Sequence, residues 1–157
     1  MTGEEVILLA EDEETDVLLL RRAFKDAGVP NPIEVAVDGI AAVDYLSRER
    51  QPPNDRLPCL VILDLKMPRR NGFEVLKWMR EQPGLSTLPV IIFSSSAHRG
   101  EVERAYALGA NAFIVKPPST GDRTEVARFI KQWLRFSQPP LAALEGLAAA
   151  RAHRVAG

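Results

Sequence analysis

Five short runs of β-forming residues, each followed by a stretch with helical spacing, constrain this chain more than any other feature. The runs are residues 6–10, 33–37, 60–63, 90–93 and 113–115. They are too short for core helices and are rich in Val and Ile, so they read as strands. In the second, Ile33, Val35 and Val37 alternate with other residues, which gives a half-polar strand. The other four are apolar at consecutive positions, as in strands covered on both faces. Helical spacing follows each run: Val17, Leu20, Phe24 and Ala27; Ile40, Val43 and Leu46; Phe73, Leu76 and Met79; Val102, Ala105, Tyr106 and Leu108; Val126, Phe129, Ile130, Trp133 and Leu134. Asp16 is placed to cap the first helix, and Gly28, Pro83-Gly84 and Gly109 supply stops. Residues 48–58 hold three prolines and form a long loop.

Strand–helix alternation implies a parallel sheet with helices on both faces. Right-handed crossovers leave few topologies. The expected one is an α/β, flavodoxin-like (βα)5 fold: a doubly wound sheet in the order 2-1-3-4-5. In that order the first and third strands are neighbours at the switch point, and ligands bind outside their carboxyl ends. Glu11 and Asp12 follow the first run, and Asp64 follows the third. Ser94 and Lys116 follow the fourth and fifth. All five should share one crevice. Asp38-Gly39, at the end of an edge strand, should contribute least.

The bulk numbers exclude several function classes. With 157 residues and a net charge of −1, the chain carries no basic footprint for nucleic acid. No apolar stretch approaches the roughly 18 residues of a membrane span. The acidic start lacks a signal peptide. Cys59 is the only cysteine, which fits a reducing cytoplasm. Length and elements are those of one domain over residues 1–136. Residues 137–157 form a compositionally distinct extension in which Leu141, Leu144, Leu147 and Ala148 can line a helical face. That extension is too short for a DNA-binding output domain.

Three carboxylates in one crevice repel each other, and a hard divalent cation relieves the strain. Mg²⁺ prefers oxygen ligands and commonly binds one or two carboxylates plus phosphate oxygens. An aspartate is a competent nucleophile towards phosphorus. Asp64, alone at the end of the central strand, is the best candidate. Asp12 is then a direct metal ligand, Glu11 a second or water-bridged one, and the Lys66 carbonyl completes the set. Phosphoryl transfer needs mostly alignment and charge stabilisation, which the cation and Lys116 supply.

Glu11-Asp12, Val61-Ile-Leu-Asp64-Leu-Lys-Met-Pro68 with Gly72, Leu88-Pro-Val-Ile-Ile-Phe-Ser94, and Gly109-Ala-Asn-Ala-Phe-Ile-Val-Lys116-Pro117 occur in this order. Together they resemble the receiver domain of two-component response regulators, over residues 4–136. Glu11-Asp12-x-x-x-Asp16 and the long loop before Leu60 resemble most the small stand-alone receivers that partner phytochrome-type histidine kinases. The resemblance implies that Asp64 accepts phosphate from a sensor histidine kinase, with Mg²⁺ on Glu11, Asp12, Asp64 and the Lys66 carbonyl. It implies that Ser94 and Lys116 contact the phosphoryl group. Ser94 and Phe113 are the implied switch pair, Lys66 and Ser96 tune phosphoaspartate lifetime, and the Lys116–Pro117 bond is cis. The implied protein is no enzyme in the ordinary sense but a phosphoprotein. Its surface of fourth helix, fifth strand and fifth helix would control protein–protein contacts, or the phosphate would pass to a histidine phosphotransfer protein.

Two readings of the last helix stay open. Phe129, Trp133 and Phe136, with the tail, form a homodimer surface, or Phe129 and Trp133 are core. His98 reads as a surface residue at a helix start. Arg69 and Arg70 steer a phosphodonor or are merely solvated, and Trp78 is partly exposed. A dehalogenase-like phosphatase would need a second aspartate where Lys66 stands. A nucleotide binder would want a glycine-rich loop where Glu11-Asp-Glu-Glu14 stands. A phosphorylation-independent adaptor or dimerisation module on the same fold is the remaining alternative.

Overall fold

The computed structural model describes residues 5–49 and 56–138. The elements run β1 (Ile7–Ala10), α1 (Glu14–Ala27), β2 (Ile33–Ala36), α2 (Gly39–Glu49), β3 (Leu60–Leu63), α3 (Gly72–Glu81), β4 (Val90–Ser94), α4 (Arg99–Ala107), β5 (Ala112–Val115) and α5 (Thr120–Phe136). All strand pairs are parallel, in the order β2-β1-β3-β4-β5. The expected flavodoxin-like topology is therefore the observed one. The extension at 139–157, its Leu141–Leu147 face included, lies outside the described residues, as do positions 50–55 of the long loop.

The period-two side-chain alternation of strands splits the core into two layers. Leu8, Ala10, Val61, Leu63, Val90 and Ile92 face α2, α3 and α4, packing with Leu46, Leu76 and Met79. Ile7, Leu9, Leu60, Ile62, Ile91 and Phe93 face α1 and α5, packing with Leu20, Phe24, Ile130 and Leu134. Cys59 is buried in the second layer, and burial pushes its thiol up to about 12. This thiol has the character of a small core residue.

Several local expectations are corrected. Asp16 does not cap α1: the N-cap position is Glu13, which makes no side-chain cap bond, and Asp16 lies inside the first turn. Val37 lies beyond β2 and is exposed, because the ladder with β1 ends at Ala36. On α5 the buried stripe is Thr124, Ala127, Ile130 and Leu134. Phe129 is one residue from Ile130, about 100° around the helix, and is 54% exposed rather than core. Phe136 is 72% exposed, whereas Trp133 packs partly buried against the α1–α5 layer. Trp78 is likewise half-buried, against the α2–α4 layer.

Two close approaches lock the sheet's carboxyl edge. A Cβ on Gly72 would fall on the Asp64 carbonyl oxygen, and one on Gly39 would fall on the Arg70 carbonyl. Glycine is required at both for the loop after β3 to lie flat against its neighbours. Asp38, buried at the end of β2, accepts the Ala41 N–H at 2.7 Å and pairs with Arg69. Arg69 has φ +65°, the one left-handed residue other than glycine among those described. Its pairing with Asp38 offsets the roughly 1 kcal/mol such a backbone costs. Arg69 is thus a tie between the segment after β2 and the loop after β3, and Asp38 has a local structural part in it.

Candidate functional site

The parallel register delivers the site residues to one level. Ala10 pairs with Leu63 and with Ala36, so Glu11 and Asp64 emerge side by side. Backbone bonds continue the ladder past the strand ends: Asp64 N–H donates to the Ala10 carbonyl and Glu11 N–H to that of Ala36, both at 3.0 Å. At the other side Lys116 N–H donates to the Ser94 carbonyl at 2.7 Å. The crevice at the β1–β3 switch point therefore arises from strand length and register alone.

Glu11, Asp12 and Asp64 each bring a carboxylate oxygen to within 4.8 Å of the others. Glu11 and Asp64 are buried, while Asp12 sits exposed on the rim. Lys116 Nζ reaches into the crevice with 7% of its side chain exposed. It lies 2.7 Å from Glu11 Oε2, 2.8 Å from Asp16 Oδ2 and 3.6 Å from Asp64 Oδ2. Ser94 is fully buried, and its hydroxyl accepts the Ser96 N–H at 3.2 Å. Phe113 packs half-buried against the α2–α4 layer, and its N–H donates to the Tyr106 hydroxyl of α4 at 3.1 Å. Lys66 is exposed at the start of the loop after Asp64.

The electrostatics follow from crowding acids in a dry place. Burial pushes the Glu11 carboxyl up to about 7; Asp64 adds repulsion and the Lys116 bond pulls the other way. Burial also raises Asp64, against the pull of Lys116 and of the Lys66 and Leu65 N–H groups. For Lys116 burial works against the charged form, yet its bonds to Asp16 and Glu11 outweigh that and raise its pKa. Three convergent oxygens of this hardness fit a small divalent cation.

A pH dependence of stability follows. The folded state binds the Glu11 proton more tightly than the unfolded state does. Its stabilising contribution is full below the ordinary value of 4.5 and is lost as pH rises through about 7. In EDTA, the Glu11→Gln variant should lack the part of the decline that this group causes between those values. Chemical denaturation at a series of pH values checks it.

The response regulator receiver domain model matches residues 7–128. The chain belongs to the receiver-domain family of response regulators. The receiver is 35% identical over 136 residues to the probable methanogenesis regulatory protein FilR2 of Methanothrix harundinacea, covering 86% of this chain and 87% of that one. It is 30% identical over 138 residues to response regulator Rcp1 of Synechocystis, covering 87% and 94%. Among solved structures it is similar to the phosphorylated cyanobacterial phytochrome response regulator RcpA, at a TM-score of 0.77 and 27% identity over 87% of this chain and 99% of that one. A Mn(2+)-bound form of Rcp1 superposes at a TM-score of 0.75 with 29% identity, over 87% and 99%.

Measured against the sequence reading, Glu11, Asp12, Asp64 and Lys116 come together in the receiver as expected, with Ser94 at the neighbouring strand end. Sequence reasoning missed Asp16 as a partner of Lys116 and Arg123 as a partner of Asp16. The only available hint was the i+5 spacing of Asp16 from Glu11, which helical capping explained equally well. Among the described residues no helix is long and apolar enough to cross a membrane.

Proposed function

We propose that this receiver accepts a phosphoryl group on Asp64 from a sensor histidine kinase and uses it to reshape the surface of α4, β5 and α5. The observation that carries the reading is the clustering of three carboxylates within 4.8 Å, with the Lys116 ammonium 3.6 Å from Asp64. Glu11, Asp12 and Asp64 would hold Mg²⁺, with the Lys66 carbonyl as a further ligand. Bound there, the ion would neutralise phosphoryl oxygens during transfer. The charges of three carboxylates, one lysine and one Mg²⁺ sum to zero, so an incoming phosphate meets no net repulsion.

The chain's own groups do the rest. An Asp64 carboxylate oxygen forms the new O–P bond as the P–N bond to the kinase imidazole breaks. The Lys116 ammonium pairs with a phosphoryl oxygen, and the Ser94 hydroxyl donates to another. Charge-assisted bonds of this kind contribute about 1.5–3 kcal/mol each. Two of them, at about 3–6 kcal/mol together, can shift a two-state balance by roughly two to four powers of ten. Ser94 turns inward, Phe113 follows into the vacated space, and the Phe113 N–H to Tyr106 bond passes the movement to α4. The resemblance to RcpA favours a phytochrome-type kinase as donor, and the single, buried Cys59 fits a reducing cytoplasm as the setting. A histidine phosphotransfer protein or a second copy of the chain is the partner class for output, the latter through Phe129, Phe136 and the 137–157 extension.

Beryllofluoride with Mg²⁺ mimics the phosphoryl group. Backbone amide shifts of Phe113, Tyr106 and the rest of α4 are expected to change on adding it. Shifts confined to the loop after β3 would reject the switch.

A further inference from the structure

Lys116 is held by more than the phosphoryl chemistry requires. An ammonium has three N–H donors, and two point at Glu11 and Asp16, at 2.7 and 2.8 Å. Asp16 is not among the three acids that can share a cation. It reaches Lys116 from the first turn of α1. Its second oxygen faces Arg123 Nη2 at 3.8 Å. Arg123 is anchored from the other side, its Nε donating to the Pro117 carbonyl at 2.8 Å. Asp16 thus stands between two cations that flank the connection from β5 to α5: a tight one, Lys116, and a looser one, Arg123.

We propose that Asp16 competes with the phosphoryl group for Lys116, and that Arg123 takes up Asp16 when Lys116 turns to the phosphoryl group. This rests on the reading of Asp64 as phosphoacceptor and names a restraint acting on that same site. The Asp16 carboxylate is only a quarter exposed, so losing Lys116 without replacement would leave a largely buried charge poorly compensated. The Arg123 guanidinium, at 14% exposure, needs a shift of little more than 1 Å to reach contact distance. When Glu11 serves a cation, Asp16 remains as the carboxylate still holding the ammonium back. The exchange couples phosphorylation to the first turn of α5 without any rearrangement of the core. Asp16 and Arg123 are positioning residues, acting through Lys116.

The test is beryllofluoride affinity at saturating Mg²⁺, followed by amide shifts, in wild type and variants. Asp16→Asn is expected to bind about twofold to fivefold more tightly, the upper part of the range such an ion pair spans. Asp16→Ser should do the same, and Asp16→Glu should restore wild-type affinity. Arg123→Gln should weaken binding in the wild type and change nothing in the Asp16→Asn background. Unchanged or weaker binding in both Asp16→Asn and Asp16→Ser overturns the proposal. So does an Arg123→Gln effect that is equal in both backgrounds. Either outcome leaves the phosphoacceptor reading intact, whereas wild type that fails to bind beryllofluoride at all sinks both.

Discussion

Replacing Lys116 with alanine is expected to lower stability by about 3–5 kcal/mol at pH 7, the usual cost of removing one partner from a buried ion cluster. The side chain is 7% exposed and faces Glu11, Asp16 and Asp64, so its loss leaves carboxylates crowded with no other cation among the described residues at contact distance from Glu11. At roughly 2–4 °C per kcal/mol for a chain of this size, the melting temperature should fall by about 6–20 °C. Two controls identify the cause. The loss should shrink at lower pH, because Glu11 and Asp64, both already raised by burial, take up protons there. Part of it should also return on adding Mg²⁺, since either cation relieves the same repulsion. Thermal melts of Lys116→Ala at several pH values, with and without Mg²⁺, check all three. A fall in stability that ignores both pH and Mg²⁺ would mean that Lys116 acts through packing alone.

The second large effect lies away from the crevice, at Arg80. This α3 residue donates to the Gly109 carbonyl from Nε and Nη2 at 3.1 and 2.7 Å, and from Nη1 to the Leu85 and Leu88 carbonyls at 3.1 and 2.8 Å. Nη2 also reaches the Asn111 side chain at 3.3 Å, and Asn111 in turn accepts the Val90 N–H at 2.9 Å. One guanidinium therefore ties the end of α3, the entry to β4 and the turn from α4 to β5. Gly109 holds φ +101°, and a Cβ there would meet the Arg80 side chain, so the turn is shaped around the arginine. Arg80→Ala takes the guanidinium donor from the Gly109 and Leu88 carbonyls, while the Leu85 carbonyl keeps the Leu88 N–H; at about 1–3 kcal/mol per unsatisfied group, the expected total is about 3 kcal/mol. Arg80→Lys should recover little, because an ammonium lacks the planar fork that serves these acceptors. Urea unfolding of the two variants against wild type measures it. Lysine restoring wild-type stability would show that charge, rather than geometry, is what Arg80 supplies.

Much of this molecule is legible in its sequence, for a physical reason. Strands buried on both faces must be apolar at consecutive positions, and helices must repeat at 3.6, so β1, β3, β4 and their helices leave periodic traces. Topology rules then put the ends of β1 and β3 together, and with them Glu11, Asp12 and Asp64. Pairings between distant positions leave no such trace. Nothing periodic links Asp16 to Lys116 or Arg123, Asp38 to Arg69, or Arg80 to Gly109. Asp16 looked like a cap because a carboxylate in the first turn of a helix is favoured there with or without a partner. Phe129 looked like core because its spacing from Val126 and Trp133 is helical. Only the actual contact of α5 with α1 shows that the packed stripe runs through Ala127, Ile130 and Leu134 instead.

On the proposed function, Asp64 becomes phosphorylated in a pocket made competent by Mg²⁺. Intact-mass spectrometry after incubation with acetyl phosphate and Mg²⁺ tests it most directly, on wild type and Asp64→Asn, with and without EDTA. Wild type should show an acid-stable, base-labile gain of one phosphate, lost in EDTA and absent from Asp64→Asn. A gain that persists in Asp64→Asn, or one indifferent to EDTA, would contradict it.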